Sequence, residues 1–250
     1  MAVTKPYRRT FRQHVDGGYS AGGNWMYVMH PKFAIAPEQY VRAFKVLQKD
    51  LLELFDFIEP ADVNLPCYSY RTHELHMRTC IEIEANCKAI LSENGYVRAG
   101  ASDWNMGDYK KLNLTHFLSE YEVRSSVWHG SLNVRRPFAS WGGGELLPWY
   151  QAYNQAKHDR FNKFALANFE ALIDVFCALV ALLSAQFGTY EFEPAMYSTA
   201  HGHPTDGFEI AIGGHFHVKF PSNLPATDRY DFNWQDLDKR QADPFQTLTF

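Results

Sequence analysis

Apolar residues recur every three or four positions between Tyr40 and Ile58: Tyr40, Phe44, Leu47, Leu51, Phe55 and Ile58 line one stripe of a predicted helix over 37–58. Pro37 suits its first turn, Glu38 suits the positive end of its dipole, and Glu59-Pro60 stops it. A second helix is predicted over 71–92. Cys80, Ile83, Cys87 and Ile90 form one stripe, Glu74, Arg78 and Glu82 form another, Glu84 and Lys88 make a favourable pair, and Asn94-Gly95 ends it. Residues 96–147 lose the period. They read as a long, partly structured insertion folded over the helices, with a short helix near 108–112 and a flexible Gly142-Gly143-Gly144. A long apolar helix is predicted over 148–186, with a kink near 159–162 and Gly188 as its stop. The period then changes to two: strands are expected over 189–192, 208–212 and 215–220, the last two joined at Gly213-Gly214. From Pro221 onward an irregular tail is expected.

These patterns predict a mainly α fold in three parts. Residues 1–34, broken by Gly17, Gly18, Gly22 and Gly23, read as a flexible arm. Residues 35–188 read as a helical bundle carrying the 96–147 insertion, and 189–250 as a small β hairpin or sheet appendage with an irregular tail. The stretch 171–187 is the one membrane candidate, but Asp174, Ser184 and Gln186 interrupt it, so a buried bundle helix and no membrane partner are expected.

Composition adds limits. The chain has 250 residues, 46% of them hydrophobic, enough for one sizeable core. Its formal charge of −4 supplies no global basic field, so contact with nucleic acid must use a local patch or a second chain. Cys67, Cys80, Cys87 and Cys177 show no C-x-x-C pairing and read as reduced core residues. Residues 1–23 lack the apolar stretch of a secretory signal, so a cytoplasmic location is expected, and the Asn113-Leu114-Thr115 acceptor carries no weight there.

The chemistry concentrates in Trp149-Tyr150-Gln151-Ala152-Tyr153-Asn154-Gln155-Ala156-Lys157-His158-Asp159-Arg160, placed at the mouth of the long helix. Asn154 and His158 share a face, and Lys157 and Arg160 stand nearby. An imidazole beside an amide and two cations suits a phosphate or a ribose hydroxyl, and histidine exchanges protons near neutral pH. The plainer reading is a capped helix end whose histidine bonds inside the bundle. Trp149 and Tyr150 fit either base stacking or hydrophobic anchoring. Arg71-Thr72-His73-Glu74-Leu75-His76 repeats an Arg-x4-His spacing at the start of the second helix, where a capping or surface role is expected. His73 and His76 are three apart, which excludes a His-Glu-x-x-His zinc motif. His215 and His217, with His201 and His203, offer a four-nitrogen metal site as a minor alternative to exposed strand surface.

The Tyr-Asn-x-x-Lys-His-Asp-Arg string opening a long apolar helix, with charged pairs such as Glu82 and Glu84 on an earlier one, resembles the HEPN-like superfamily (higher eukaryotes and prokaryotes nucleotide-binding domains) over residues 37–187. The resemblance implies a four- to five-helix bundle that dimerises. It also implies a metal-independent endoribonuclease of bacterial defence, toxin–antitoxin or stress systems, with no cofactor and with RNA, a nucleotide or an antitoxin as partners. On that reading His158 exchanges protons, Lys157 and Arg160 hold the phosphate, and Asn154 orients it. Glu82, or less directly Glu84, reaches across from the second helix, with Tyr153, Trp149 and Arg78 in binding roles. The family motif has an arginine where this chain has Tyr153. The alternative is therefore a catalytically silent module that binds RNA, a nucleotide or a protein and dimerises.

Overall fold

An apolar helix buried on every side organises the molecule. In the computed structural model, which describes residues 1–19, 21–29, 35–98, 103–192, 206–239 and 243–250, the major helices are α1 (Pro37–Phe55) and α2 (Tyr70–Glu93). Short helices α3 (Met106–Tyr109) and α4 (Leu112–His116) lead to strands β1 (Glu122–Ser125) and β2 (Val134–Arg135) and to α5 (Ala139–Gly142). Helices α6 (Pro148–His158), α7 (Arg160–Lys163) and α8 (Phe169–Phe187) follow, then β3 (Glu209–Ile210), β4 (Phe216–Lys219) and α9 (Trp234–Asp238). The class is mainly α with a small antiparallel sheet of order β2-β1-β4-β3.

α8 is buried at every position except Glu170 and Asp174. It packs against α1, α2 and α6 and against β1 and β4 of the sheet. An all-round apolar helix needs cover on all sides, and here protein provides it. α8 is the one helix among the described residues long and apolar enough to cross a membrane, and 89% of its apolar window is buried inside the protein.

α1 buries Phe44, Leu47 and Leu51 of its expected stripe, but Val41 and Leu54 join them while Tyr40, Phe55 and Ile58 are half-buried, so the buried face is turned from the one expected. It ends at Phe55 rather than Ile58 because Phe57 and Ile58 both turn back to donate to the Leu54 carbonyl. α2 starts at an Ser69 cap, whose hydroxyl accepts from the Thr72 amide at 3.1 Å.

Four expectations change. The helix over 148–186 is three helices: Asp159 and Asn168 leave helical geometry, and their side chains accept from the Asn162 and Ala171 amides to start α7 and α8. Short polar side chains that bond nearby backbone compete with helix continuation. The N-terminal segment is not a loose arm. The Phe11 amide donates to the Ala185 carbonyl of α8 at 2.8 Å, Tyr27 and Tyr230 both donate to the Thr10 carbonyl, and Phe11, Tyr27 and Val28 are buried.

The sheet is not a C-terminal appendage, since β1 and β2 come from the 96–147 insertion and β1 pairs with β4, Val123 opposite Val218. That insertion also places Tyr109, Leu118, Tyr121, Phe138 and Trp141 in the core. Residues 189–192 form no strand, and the tail, though irregular, is anchored by the buried Tyr230, Leu237 and Leu248. The expected hairpin is present: β3 and β4 pair across a turn in which Gly213 and Gly214 have φ of 84° and 75°. Such angles suit glycine.

The charge on α8 has a partner from the sheet. Arg135 of β2 donates to Asp174 at 3.3 Å and lies 5.4 Å from the Trp128 ring centroid. Burial outweighs that pairing and pushes the Asp174 carboxyl from 3.8 up to about 6. A raised carboxyl contributes stability below its unfolded value and loses it as pH rises through the folded one. From pH 4 to pH 8 the wild type should therefore lose about 2 kcal/mol relative to Asp174→Asn, read from urea unfolding at each pH. A pH-independent difference would contradict the assignment.

Candidate functional site

Pro148 opens α6, and its first turn faces inward. Trp149 is 2% exposed, its indole donates to the Pro137 carbonyl at 2.9 Å, and its own carbonyl accepts from His76 Nε2 at 3.2 Å. Trp149 is thus an anchor of the bundle, not a platform for a base. Tyr150 reaches α2, where its hydroxyl donates to Glu84 Oε1 at 3.0 Å. Burial and the Glu84 carboxylate push this phenol well up, so it stays a donor. Tyr153 is packed at 3% exposure, its ring 5.4 Å from that of Tyr150.

The second half of α6 turns outward. Asn154 is half-buried, while Lys157 and His158 are exposed and form the basic last turn, the helix end at which cations are favoured. His158 is therefore the last residue of an eleven-residue helix, not part of the mouth of a long one. It makes no hydrogen bond among the described residues. Lys157 Nζ donates to Tyr153 Oη at 3.3 Å. After Asp159 the chain turns, and Arg160, Phe161 and Lys163 all stand in solvent, Phe161 at 96% exposure. Arg160 and Lys163 have no ion pair among the described residues. A 3-10 turn over Phe164–Leu166 then sets Phe164 against Tyr70, with ring centroids 4.8 Å apart, and against Tyr68 and His73. Tyr68 and Tyr70 keep 56% and 71% of their surface exposed. The result is a knuckle over 157–166 with three cations, one imidazole and a set of solvent-facing rings.

Two expected members lie elsewhere. Glu82 is on the far side of α2 from α6, because two residues advance a helix by about 200°. It is half-buried and accepts from the Asn86 amide at 3.0 Å, and Asn86 in turn accepts from Gln186 of α8. Glu84 is the acid that meets α6. Arg78 points to α1, paired with Asp50, in a cleft of about 380 Å³ floored by Leu54, Phe57, Ile58 and Leu75. Its guanidinium is not with His158.

The other histidines separate by burial. The Arg71-x4-His76 spacing forms no joint site: Arg71 is exposed and pairs with Glu74 at 3.7 Å, whereas His76 is fully buried. Burial, together with Arg160, holds the His73 imidazole below the usual value. His215 lies exposed in the turn before β4 and His217 half-buried on it, while His201 and His203 fall outside the described residues. Among the described residues no three metal-ligating side chains gather.

The exposed rings of Phe161, Tyr68 and Tyr70 were not singled out from the sequence, because periodicity does not report which aromatic side chains stay in solvent. Basic residues interleaved with aromatics were the available signal. Comparison of the chain with protein-family models, curated proteins and solved structures finds no match.

Burial pushes the His76 imidazole down to about 4. The unfolded chain takes up a proton near 6.5 that the folded chain refuses, so stability should fall as pH drops from about 6.5 toward 4. Histidine titration by NMR should show His76 neutral at pH 5.5. A His76 midpoint near 6.5 would contradict its sealed position.

Proposed function

We propose that this chain is a HEPN-like module that handles single-stranded RNA in the cytoplasm through the knuckle at the end of α6. One observation carries the reading: Lys157, Arg160 and Lys163 stand exposed within one short segment, without an anionic partner among the described residues, beside a phenylalanine 96% exposed. Each cation that replaces a counterion on a phosphate gains affinity that salt removes. Exposed rings stack on unpaired bases without regard to sequence. The formal charge of −4 over the whole chain makes this local patch the contact, rather than a diffuse field.

A second reading, metal-independent cleavage of RNA, is supported by the exposure of His158 within the same short segment. There it is positioned to exchange a proton with a ribose hydroxyl or a leaving oxygen, while Lys157 and Arg160 steady the phosphate. One copy supplies one such imidazole, so this reading calls for a homodimer that joins two knuckles. Tyr153 replaces the family arginine, and Glu82 faces away. For these reasons binding is the reading put first.

The test uses a fluorescent uridine oligomer of about twelve nucleotides and anisotropy over a range of salt. The triple variant Lys157→Ala, Arg160→Ala, Lys163→Ala should bind at least about tenfold more weakly, with a salt slope smaller by about 2. His158→Ala should bind within about twofold of wild type. Fragments ending in 2′,3′-cyclic phosphate that disappear in His158→Ala would promote the cleavage reading. Equal binding by wild type and the triple variant would sink both.

A further inference from the structure

The three cations of the knuckle are not equivalent. Arg160 and Lys163 have no hydrogen bond or ion pair among the described residues, and their long side chains keep their rotamer freedom. Lys157 is tied down. Its Nζ lies 3.3 Å from Tyr153 Oη and 5.1 Å from the Tyr153 ring centroid. The two residues are four apart on α6 and so share a face. Tyr153 cannot itself wander: it is 3% exposed and packs on Tyr150, whose hydroxyl is bonded to Glu84 of α2. A ladder Glu84–Tyr150–Tyr153–Lys157 thus runs from a helix of the core to an ammonium in solvent.

The chemistry of the anchor matters as much as its position. A carboxylate would hold the lysine and cancel its charge. A phenol holds it through one N–H at the hydroxyl end of the ring, and leaves the positive charge and two further N–H donors for a ligand. A side chain already ordered also loses less freedom when the ligand arrives.

We infer that Tyr153 is a positioning residue that holds the Lys157 ammonium in place as the leading phosphodiester contact of the knuckle, an inference that rests on the RNA-handling reading above. Arg160 and Lys163 follow as adjustable contacts.

Tyr153→Phe keeps the ring and its packing and removes only the acceptor oxygen. With the same uridine oligomer it should bind about threefold more weakly at every salt concentration, with an unchanged salt slope, because no charge is lost. Lys157→Ala should bind about tenfold more weakly, with a slope smaller by about 0.7. The double variant should be no weaker than Lys157→Ala alone, since the tyrosine acts only through the lysine. Thermal unfolding of Tyr153→Phe within about 2 °C of wild type separates this from damage to the fold.

NMR relaxation of the lysine methylenes gives a second readout that needs no RNA. Lys157 should be markedly more ordered than Lys163 in the wild type, and as mobile as Lys163 in Tyr153→Phe. Full-strength binding by Tyr153→Phe, additive losses in the double variant, or a Lys157 as mobile as Lys163 in the wild type would each overturn the inference. Failure of the wild type to bind RNA with an ordered Lys157 would instead overturn the RNA reading and the phosphate role with it, while leaving the anchor standing.

Discussion

Every side of α8 has to be kept from water, and the rest of the chain is arranged to meet that demand. Seventeen of its nineteen positions are buried, and at roughly 1.5–3 kcal/mol for each large apolar side chain this burial outweighs any local preference. α1 and α2 cover one flank, and α6 covers another by folding back after the break at 159–168. The sheet closes the rest, and its strands come from both the insertion and the tail because no single stretch is long enough to do so. The N-terminal segment is drawn in by the same demand, with Phe11 bonded to the last turn of α8.

That return of α6 is what creates the knuckle. Were 148–186 one straight helix, Lys157, His158 and Arg160 would lie along its side, and Phe161 and Phe164 would have to continue its buried stripe. Because Asp159 and Asn168 restart the helix twice, the segment between them is left at the surface with its rings and cations outward. Polar ties hold other irregular stretches in a similar way. The Asp62 carboxylate collects the Trp128 indole, the Ser131 hydroxyl and amide and the Leu132 amide, and clasps the loop before β2. Gly130 belongs there because a Cβ at that position would meet the carboxylate at 2.3 Å.

Legibility followed burial. α1 and α2 could be read because their apolar positions are the buried ones, and the Gly213-Gly214 turn because its backbone angles demand glycine. β1 and β2 are four and two residues long, too short for alternation to register, and β4, the other partner of β1, lies about ninety residues away in sequence. The break in 148–186 was legible only as a kink, since Phe161, Phe164 and Leu166 sustain a helical period without being buried by it. Of the site, the closeness of Lys157, His158 and Arg160 along the chain was readable, but not that all three stand exposed. Which acid of α2 meets α6 was not: Glu82 and Glu84 look alike in sequence, and only the packing of α2 on α8 and α6 decides that Glu84 faces Tyr150. Trp149, open to two readings, was settled by burial.

The account stands on one claim: the helix is interrupted at Asp159 and again at Asn168 between α6 and α8, and the exposed residues of the knuckle exist because of it. Amide hydrogen exchange over 150–187 tests this directly. Strong protection should appear over 173–187, at the level of global unfolding, and weaker protection over 152–158. Amides over 160–168 should exchange faster by a factor on the order of 100. Unbroken protection from 154 to 175 would mean one continuous helix, and would remove the knuckle.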